Sequence, residues 1–145
     1  MSAAGVRRRI ALVSLLVRDY DGAIAWYTEK LGFELSEDTS LGGEKRWVVV
    51  RPAGAAFGLL LAKAAGEEQQ SRIGEQAGGR VFLFLETNDF WRDHAVMAAQ
   101  GVEFREEPRE ESYATVAVFA DLYGNLWDLL QPRGRGSAAA AAGLQ

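Results

Sequence analysis

The chain has 145 residues, with 16 Lys and Arg against 20 Asp and Glu, a formal net charge of −4, one histidine and no cysteine. This length suits one well-buried domain or two small modules that share a core, and the acidic balance disfavours a nucleic-acid or membrane surface. Disulfides and thiolate ligands are excluded, and one histidine, His94, cannot build a multi-histidine metal site.

The N-terminal part of the chain predicts a strand followed by a helix. Ile10–Val17 is apolar on both faces, which is typical of a strand that is covered on both sides. Asp19 or Asp21 can cap the next helix, because a carboxylate accepts hydrogen bonds from the free N–H groups of the first turn. Gly32 ends this helix, whose apolar positions recur at helical spacing: Tyr20, Ile24, Tyr27 and Leu31.

Three further strands complete the first half. Two aliphatic runs, Arg46–Pro52 and Ala56–Lys63, predict a pair of strands separated by a turn. If the short segment Glu34–Glu37 is counted as a strand, residues 9–63 have the order β-α-β-β-β. A polar, glycine-containing linker, residues 64–79, follows.

Residues 80–132 repeat the pattern of the first half. Asp89 corresponds to Asp19 of the first half, and Gly101 corresponds to Gly32. We therefore predict an α+β fold in which duplicated βαβββ modules form a curled mixed sheet around a cleft. Residues 1–8 are an N-terminal extension, and residues 133–145 form a low-complexity tail that we predict to be flexible and to which we assign no role.

Several motifs resemble those of a known family. They are the strand ending "VRD", the helix with "WY" before "KLGF", and the closing "DLYGNLWD". Together they resemble the vicinal oxygen chelate superfamily, which contains glyoxalases, bleomycin- and fosfomycin-resistance proteins and extradiol dioxygenases. The resemblance runs from Arg9 to about Gln131. It implies that paired modules surround a cleft into which metal ligands project from the first strand of each module and from the last strand.

The positions that carry ligands in metal-binding members correspond here to Leu12, Arg80 and Asp128. A leucine offers no donor atom, and a guanidinium cannot lose its proton, so one carboxylate is left. We therefore expect no metal and no other cofactor.

Strand alternation predicts what the cleft would contain instead. Alternate residues of a strand share one face of the sheet. The face predicted to line the cleft is mostly apolar and aromatic with a few charges, which suits a small organic ligand. The predicted ligand-binding residues are Leu12, Ser14, Arg80, Phe82, Phe84, Glu86 and Asp128, and Trp47 joins them if its side chain faces the cleft.

Arg80 and Asp128 are expected to face each other. This pair is either a structural ion pair or a site for a ligand carboxylate or enolate. If the protein turns a substrate over, the groups left for acid–base chemistry are Asp128 and Glu86, with Tyr113 or Tyr123 as further candidates and Arg80 stabilising negative charge.

The resemblance, combined with the missing ligands, predicts a cytoplasmic homodimer that binds a small apolar or aromatic molecule. Turnover stays open, and its class would be lyase, isomerase or dioxygenase by resemblance alone. One alternative is a metal-dependent lyase or isomerase of the lactoylglutathione lyase type. Another is a non-catalytic structural or regulatory module. No membrane helix and no secretory signal are predicted.

Overall fold

The computed structural model describes residues 5–134 of the chain. The first module contains β1 (Leu12–Val17), α1 (Tyr20–Glu29), β2 (Glu34–Ser40), β3 (Arg46–Arg51) and β4 (Gly58–Lys63). A short helix, α2 (Gly66–Ser71), lies in the predicted linker. The second module contains β5 (Val81–Glu86), α3 (Phe90–Ala99), β6 (Glu103–Phe104), β7 (Arg109–Glu110), β8 (Ala114–Ala120) and β9 (Leu126–Pro132).

The strands form two mixed sheets. The first has the order β1-β4-β3-β2, and the second has the order β5-β9-β8-β6, with β7 also paired to β8. In each sheet the first strand of the module runs parallel to the last one, and the other pairs are antiparallel. The predicted α+β class and the duplicated module order are confirmed.

The two long helices begin at the predicted aspartates. Asp19 accepts a hydrogen bond of 2.6 Å from the Gly22 N–H, and Asp89 accepts one of 3.2 Å from the Arg92 N–H. After α1, Gly32 has a φ of 70°, a conformation that glycine adopts at little cost. The local signals in the sequence therefore set where these helices start and stop.

One hydrophobic core joins the two modules. It takes side chains from α1 and one face of the first sheet, and from α3 and one face of the second sheet. Tyr27 on α1 and Trp127 on β9 have ring centroids 6.0 Å apart, so the first helix contacts the second sheet directly. Burial of these side chains therefore draws on elements of both modules.

Residues 1–4 of the predicted extension and residues 135–145 of the predicted tail lie outside the described residues. Within residues 5–134, no helix is long and apolar enough to cross a membrane. The predicted domain boundaries stay predictions.

Candidate functional site

The side of the first sheet that faces away from the core carries three of the predicted residues. On β1, Leu15 and Val17 are buried in the core, so Leu12, Ser14 and Leu16 point to the opposite side. In the ladder Ser14 pairs with Leu60 of β4. We call this side the first outer face, formed by Leu12, Ser14, Leu16, Trp47, Leu60 and Ala62.

Trp47 belongs to the first outer face. Val49 of β3 pairs with Leu60, and Trp47 lies two residues before Val49, so both share the side of Ser14. The indole is 38% exposed. The register of the sheet thus determines the orientation of the Trp47 side chain, which the sequence left open.

The corresponding side of the second sheet carries Asp128. In the ladders Asp128 pairs with Phe84 of β5 and with Val118 of β8, and the neighbouring Glu86 pairs with Leu130. Phe84 is 55% exposed, although it is a large aromatic residue. We call this side the second outer face, formed by Phe84, Glu86, Val118, Leu126 and Asp128.

Two predicted residues do not lie on the second outer face. The ladder between β5 and β9 shifts register between Val81 and Leu83, so strict alternation fails there. Phe82 packs against the core, and Val81 instead pairs with Leu126. Arg80 precedes the strand and lines a small cavity beside Arg105.

The expected pairing of Arg80 with Asp128 is absent. Among residues 5–134, no ion pair or hydrogen bond joins these two side chains. Arg80 precedes β5 and lies four residues before Phe84, the residue that pairs with Asp128, so a distance of about 13 Å along the strand is the physical reason.

Asp128 is a half-buried carboxyl group with an unsatisfied oxygen. Its Oδ1 is buried and has no hydrogen-bond partner in the described part of the chain. Burial raises the pKa of Asp128 to about 6, the positive charge of Arg109 lowers it, and the negative charge of Glu106 raises it. Arg109 is itself held by Glu106 at 3.1 Å and Glu111 at 2.7 Å. A carboxyl in this setting lacks a polar partner that a ligand could supply.

The residues at the family's ligand positions do not fit a metal. Leu12 supplies no donor, Arg80 is cationic and displaced, and Asp128 remains as a single carboxylate. Residues 5–134 hold no cluster of three or more His, Asp or Glu side chains arranged for an ion. The donor set therefore does not support metal chemistry at these positions.

Sequence reasoning missed the residues that complete the two faces. Leu60 and Val118 lie in strands that are apolar at almost every position, so composition could not tell which side they face. Arg109 and Glu106 lie in an acidic stretch whose composition is typical of a solvent-exposed loop. A sequence signal was present there, since Arg109 is flanked by the two glutamates that bind it.

Within residues 5–134, no strand pairing joins the two outer faces, although Phe84 and Glu86 line pockets with residues of the loop between β3 and β4. The sheets share no strand pairing, and no hydrogen bond or ion pair within the described range links one outer face to the other. The free edge of β1 is occupied by Gln76, which accepts from the Leu16 N–H at 2.6 Å and donates to the Ser14 carbonyl at 3.1 Å. The sheets therefore do not join through this edge of β1.

Comparison with known proteins gives consistent matches. The model of the Glyoxalase/Bleomycin resistance protein/Dioxygenase superfamily matches residues 9–129. An uncharacterised protein of Shewanella frigidimarina (strain NCIMB 400) is 56% identical over 128 residues, which cover 87% of this chain and 95% of that protein. The crystal structure of UcmS2 has a TM-score of 0.75 at 32% identity and covers 86% of this chain and 98% of its own.

A further solved structure carries a functional description. The crystal structure of TnmS3, an antibiotic-binding protein from Streptomyces sp. CB03234, has a TM-score of 0.72 at 30% identity. The match covers 87% of this chain and 97% of that protein. The similarity thus spans both modules rather than one.

Proposed function

Because this chain belongs to the glyoxalase/bleomycin resistance protein/dioxygenase superfamily, we propose that it binds a small apolar or aromatic molecule without a metal. The observation that carries the proposal is the second outer face, where the exposed ring of Phe84 adjoins the unpartnered carboxyl of Asp128. An apolar wall with one polar anchor is typical of a small-molecule site. The antibiotic-binding relative TnmS3 supports the same function.

The proposal assigns binding rather than turnover to the site. Asp128 and Glu86 lie on one face, but Arg80 is not beside them, so the charge-stabilising partner expected for an acid–base pair is missing. We place this binding activity in the cytoplasm, in keeping with the cysteine-free composition.

A second copy of the chain completes the cleft in this proposal. Each chain presents two largely apolar faces on two unpaired sheets, and a two-fold dimer would bring the first outer face of one copy to the second outer face of the other, twice.

The test of binding is a thermal-shift screen of the purified protein with an aromatic ligand library and with divalent metals. We expect stabilisation by organic ligands, about 2.7 kcal/mol at a ligand concentration of 100 Kd, and no metal retained after dialysis. Phe84→Ala should abolish the shift. Trp91→Ala is the matched control, because Trp91 is 54% exposed but lies on α3, away from both faces.

The alternatives predict other outcomes of the same screen. Metal that survives dialysis and is required for ligand binding would establish the lyase or isomerase alternative. A protein that no compound stabilises would instead fit a structural or regulatory module.

Complementation tests the shared cleft. Trp47→Ala damages the first outer face and Phe84→Ala the second, so each homodimer has two defective clefts. A mixed dimer of the two variants has one doubly defective cleft and one intact cleft. Equal amounts of the two variants that exchange subunits freely give about half mixed dimers, each with one intact cleft of two, so mixing should restore about a quarter of the wild-type binding capacity, whereas a cleft built within one chain would give no restoration.

A further inference from the structure

The pairing of β3 with β4 is much shorter than the strands themselves. Both strands have six residues, yet their ladder contains Val49–Leu60 and Val50–Leu59 alone. The equivalent ladder of the second module, between β8 and β9, is continuous from Ala114–Pro132 to Ala120–Leu126. The first module therefore has a split between two central strands that its duplicate does not have.

A pocket of about 600 Å³ lies at this split. It is lined by the start of β3 and the end of β4, together with Tyr20 of α1 and Gln69 of α2. Its volume is within the range of about 300–1,000 Å³ that is typical of sites for drug-sized ligands. Because Tyr20 comes from the core side and Trp47 from the outer face, this slot extends into the sheet rather than lying on it.

The slot has an aromatic and aliphatic wall. Trp47 and Leu60 contribute apolar surface from the two separated strands, and Leu41 adds to it from the hairpin between β2 and β3. An indole that is 38% exposed can stack with a planar ring.

The charge of the lining is the opposite of the charge of the protein. Three of its four charged residues are cations, Lys45, Arg46 and Lys63, and the fourth is Glu44, although the whole chain has a net charge of −4. Arg46 is already bound by Asp21 at 3.1 Å and Asp38 at 2.8 Å. The two lysines are therefore the cations open to a ligand.

The lysines are weakly engaged in the described part of the chain. Lys63 is 3.7 Å from Glu44, whose side chain is 93% exposed, a distance and exposure at which an ion pair contributes little. No ion pair involving Lys45 occurs among residues 5–134. Gln69 uses its carbonyl oxygen to accept from the Ala65 N–H at 2.8 Å, so its NH₂ group is left free. The polar atoms offered by these side chains are all hydrogen-bond donors.

We propose that this slot binds an aromatic carboxylate, with its ring against Trp47 and Leu60 and its carboxylate at Lys45 and Lys63. The inference rests on the proposed binding function and specifies the chemical class of the ligand. Donors and cations in the lining of an apolar slot favour an anionic group over a neutral amide of the same shape.

A matched pair of probes tests the inference by isothermal titration calorimetry. 2-Naphthoate and 2-naphthamide have the same ring system and differ in charge. We expect naphthoate to bind at least about tenfold more tightly, and Lys45→Gln or Lys63→Gln to weaken it about fivefold each while leaving naphthamide unchanged. Trp47→Ala should weaken both probes.

Arg72→Gln is the control for net charge. It removes one positive charge from an exposed ion pair on the surface, outside the slot. Equal affinities of the two probes, or an equal loss with Arg72→Gln, would overturn the anion preference and leave the proposed binding function intact. Failure of both probes to bind a protein that other library compounds stabilise would overturn the slot as a site.

Discussion

The Tyr27 hydroxyl donates a hydrogen bond of 2.7 Å to the Asp121 carboxylate and so connects the helix of the first module to the turn before the last strand of the second. Both residues are buried. Burial and then the negative charge of Asp121 raise the pKa of Tyr27 well above its ordinary value. Asp121 also accepts from the Tyr123 and Asn125 N–H groups, each at 2.9 Å, so one carboxylate organises the turn and the contact between modules.

Removing the Tyr27 hydroxyl should destabilise the fold without emptying the core. In Tyr27→Phe the ring stays, and Asp121 loses one of its donors in a buried position. We expect the free energy of unfolding to fall by about 1–2 kcal/mol, as measured by urea denaturation. Tyr123→Phe is the control, because that hydroxyl accepts from the exposed Arg18 N–H at 3.0 Å and water can replace it. Equal losses in the two variants would contradict the prediction.

The parts of the fold that follow from local chemistry could be predicted from the sequence. Asp19 and Asp89 cap the helices because short carboxylates reach the first-turn N–H groups, and alternation on β1 correctly separated Leu15 from Ser14. These features depend on neighbours within a few residues.

The features that set the site depend on contacts far along the chain. The register shift beside Phe82 has no glycine or proline to announce it, and it arises where Phe82 packs against a core built from both modules. The side on which Trp47 lies follows from the pairing of its neighbour Val49 with Leu60 of β4, and the split beyond Val49 is a property of that pairing. A pattern of apolar residues does not carry this information.

Gly74 should be irreplaceable in the segment after α2. A Cβ built there would lie 2.1 Å from the Tyr123 carbonyl oxygen, and the φ of Gly74 is +83°. We expect Gly74→Ala to lower the free energy of unfolding by more than about 3 kcal/mol, because strain in φ adds to a backbone clash. The measurement is thermal or urea unfolding.

Gly78→Ala separates the two causes. Gly78 also has a positive φ, +64°, but a Cβ there would meet nothing within 4 Å. Its loss should stay near about 1 kcal/mol, the usual magnitude for a non-glycine residue in this conformation. A similar cost at both positions would show that the approach to Tyr123 has no energetic weight.

The Gln76 side chain should protect the edge of β1 from exchange with solvent. It accepts from the Leu16 N–H at 2.6 Å, on the side of the strand that has no neighbouring strand. In Gln76→Ala we expect the Leu16 amide to exchange about five- to tenfold faster, since one hydrogen bond contributes about 1 kcal/mol. Hydrogen exchange measured by NMR reports this at single residues.

Two internal comparisons make the exchange experiment specific. The Leu15 amide faces β4 in the alternation of the strand and should keep its wild-type rate. Gln70→Ala changes an exposed glutamine whose side chain makes no hydrogen bond among the described residues, so the Leu16 rate should not respond. Acceleration of both amides would indicate a general loosening of the sheet instead.

Asp128 should make stability depend on pH with an unusual sign. Burial raises its pKa to about 6 from an ordinary value of 3.8, so between these values the folded protein holds a proton that the unfolded chain releases. The contribution is fully present below about pH 3.8 and is lost as the pH rises through about 6. Asp128→Asn, which stays neutral, should therefore gain stability relative to the wild type across this window.

The size of the Asp128 effect follows from the same shift. A pKa shift of this size corresponds to about 3 kcal/mol in the free energy of unfolding. We expect about 1–2 kcal/mol, because the carboxyl is only half-buried and water screens it. Urea unfolding of both proteins between pH 4 and 7 measures the difference, in which the titration of other carboxylates cancels. Glu86→Gln is the control, since Glu86 is an exposed carboxylate on the same face. A stability difference between Asp128→Asn and wild type that does not change between pH 4 and 7 would contradict the prediction, because it would mean that Asp128 is ionised throughout this range in the folded protein.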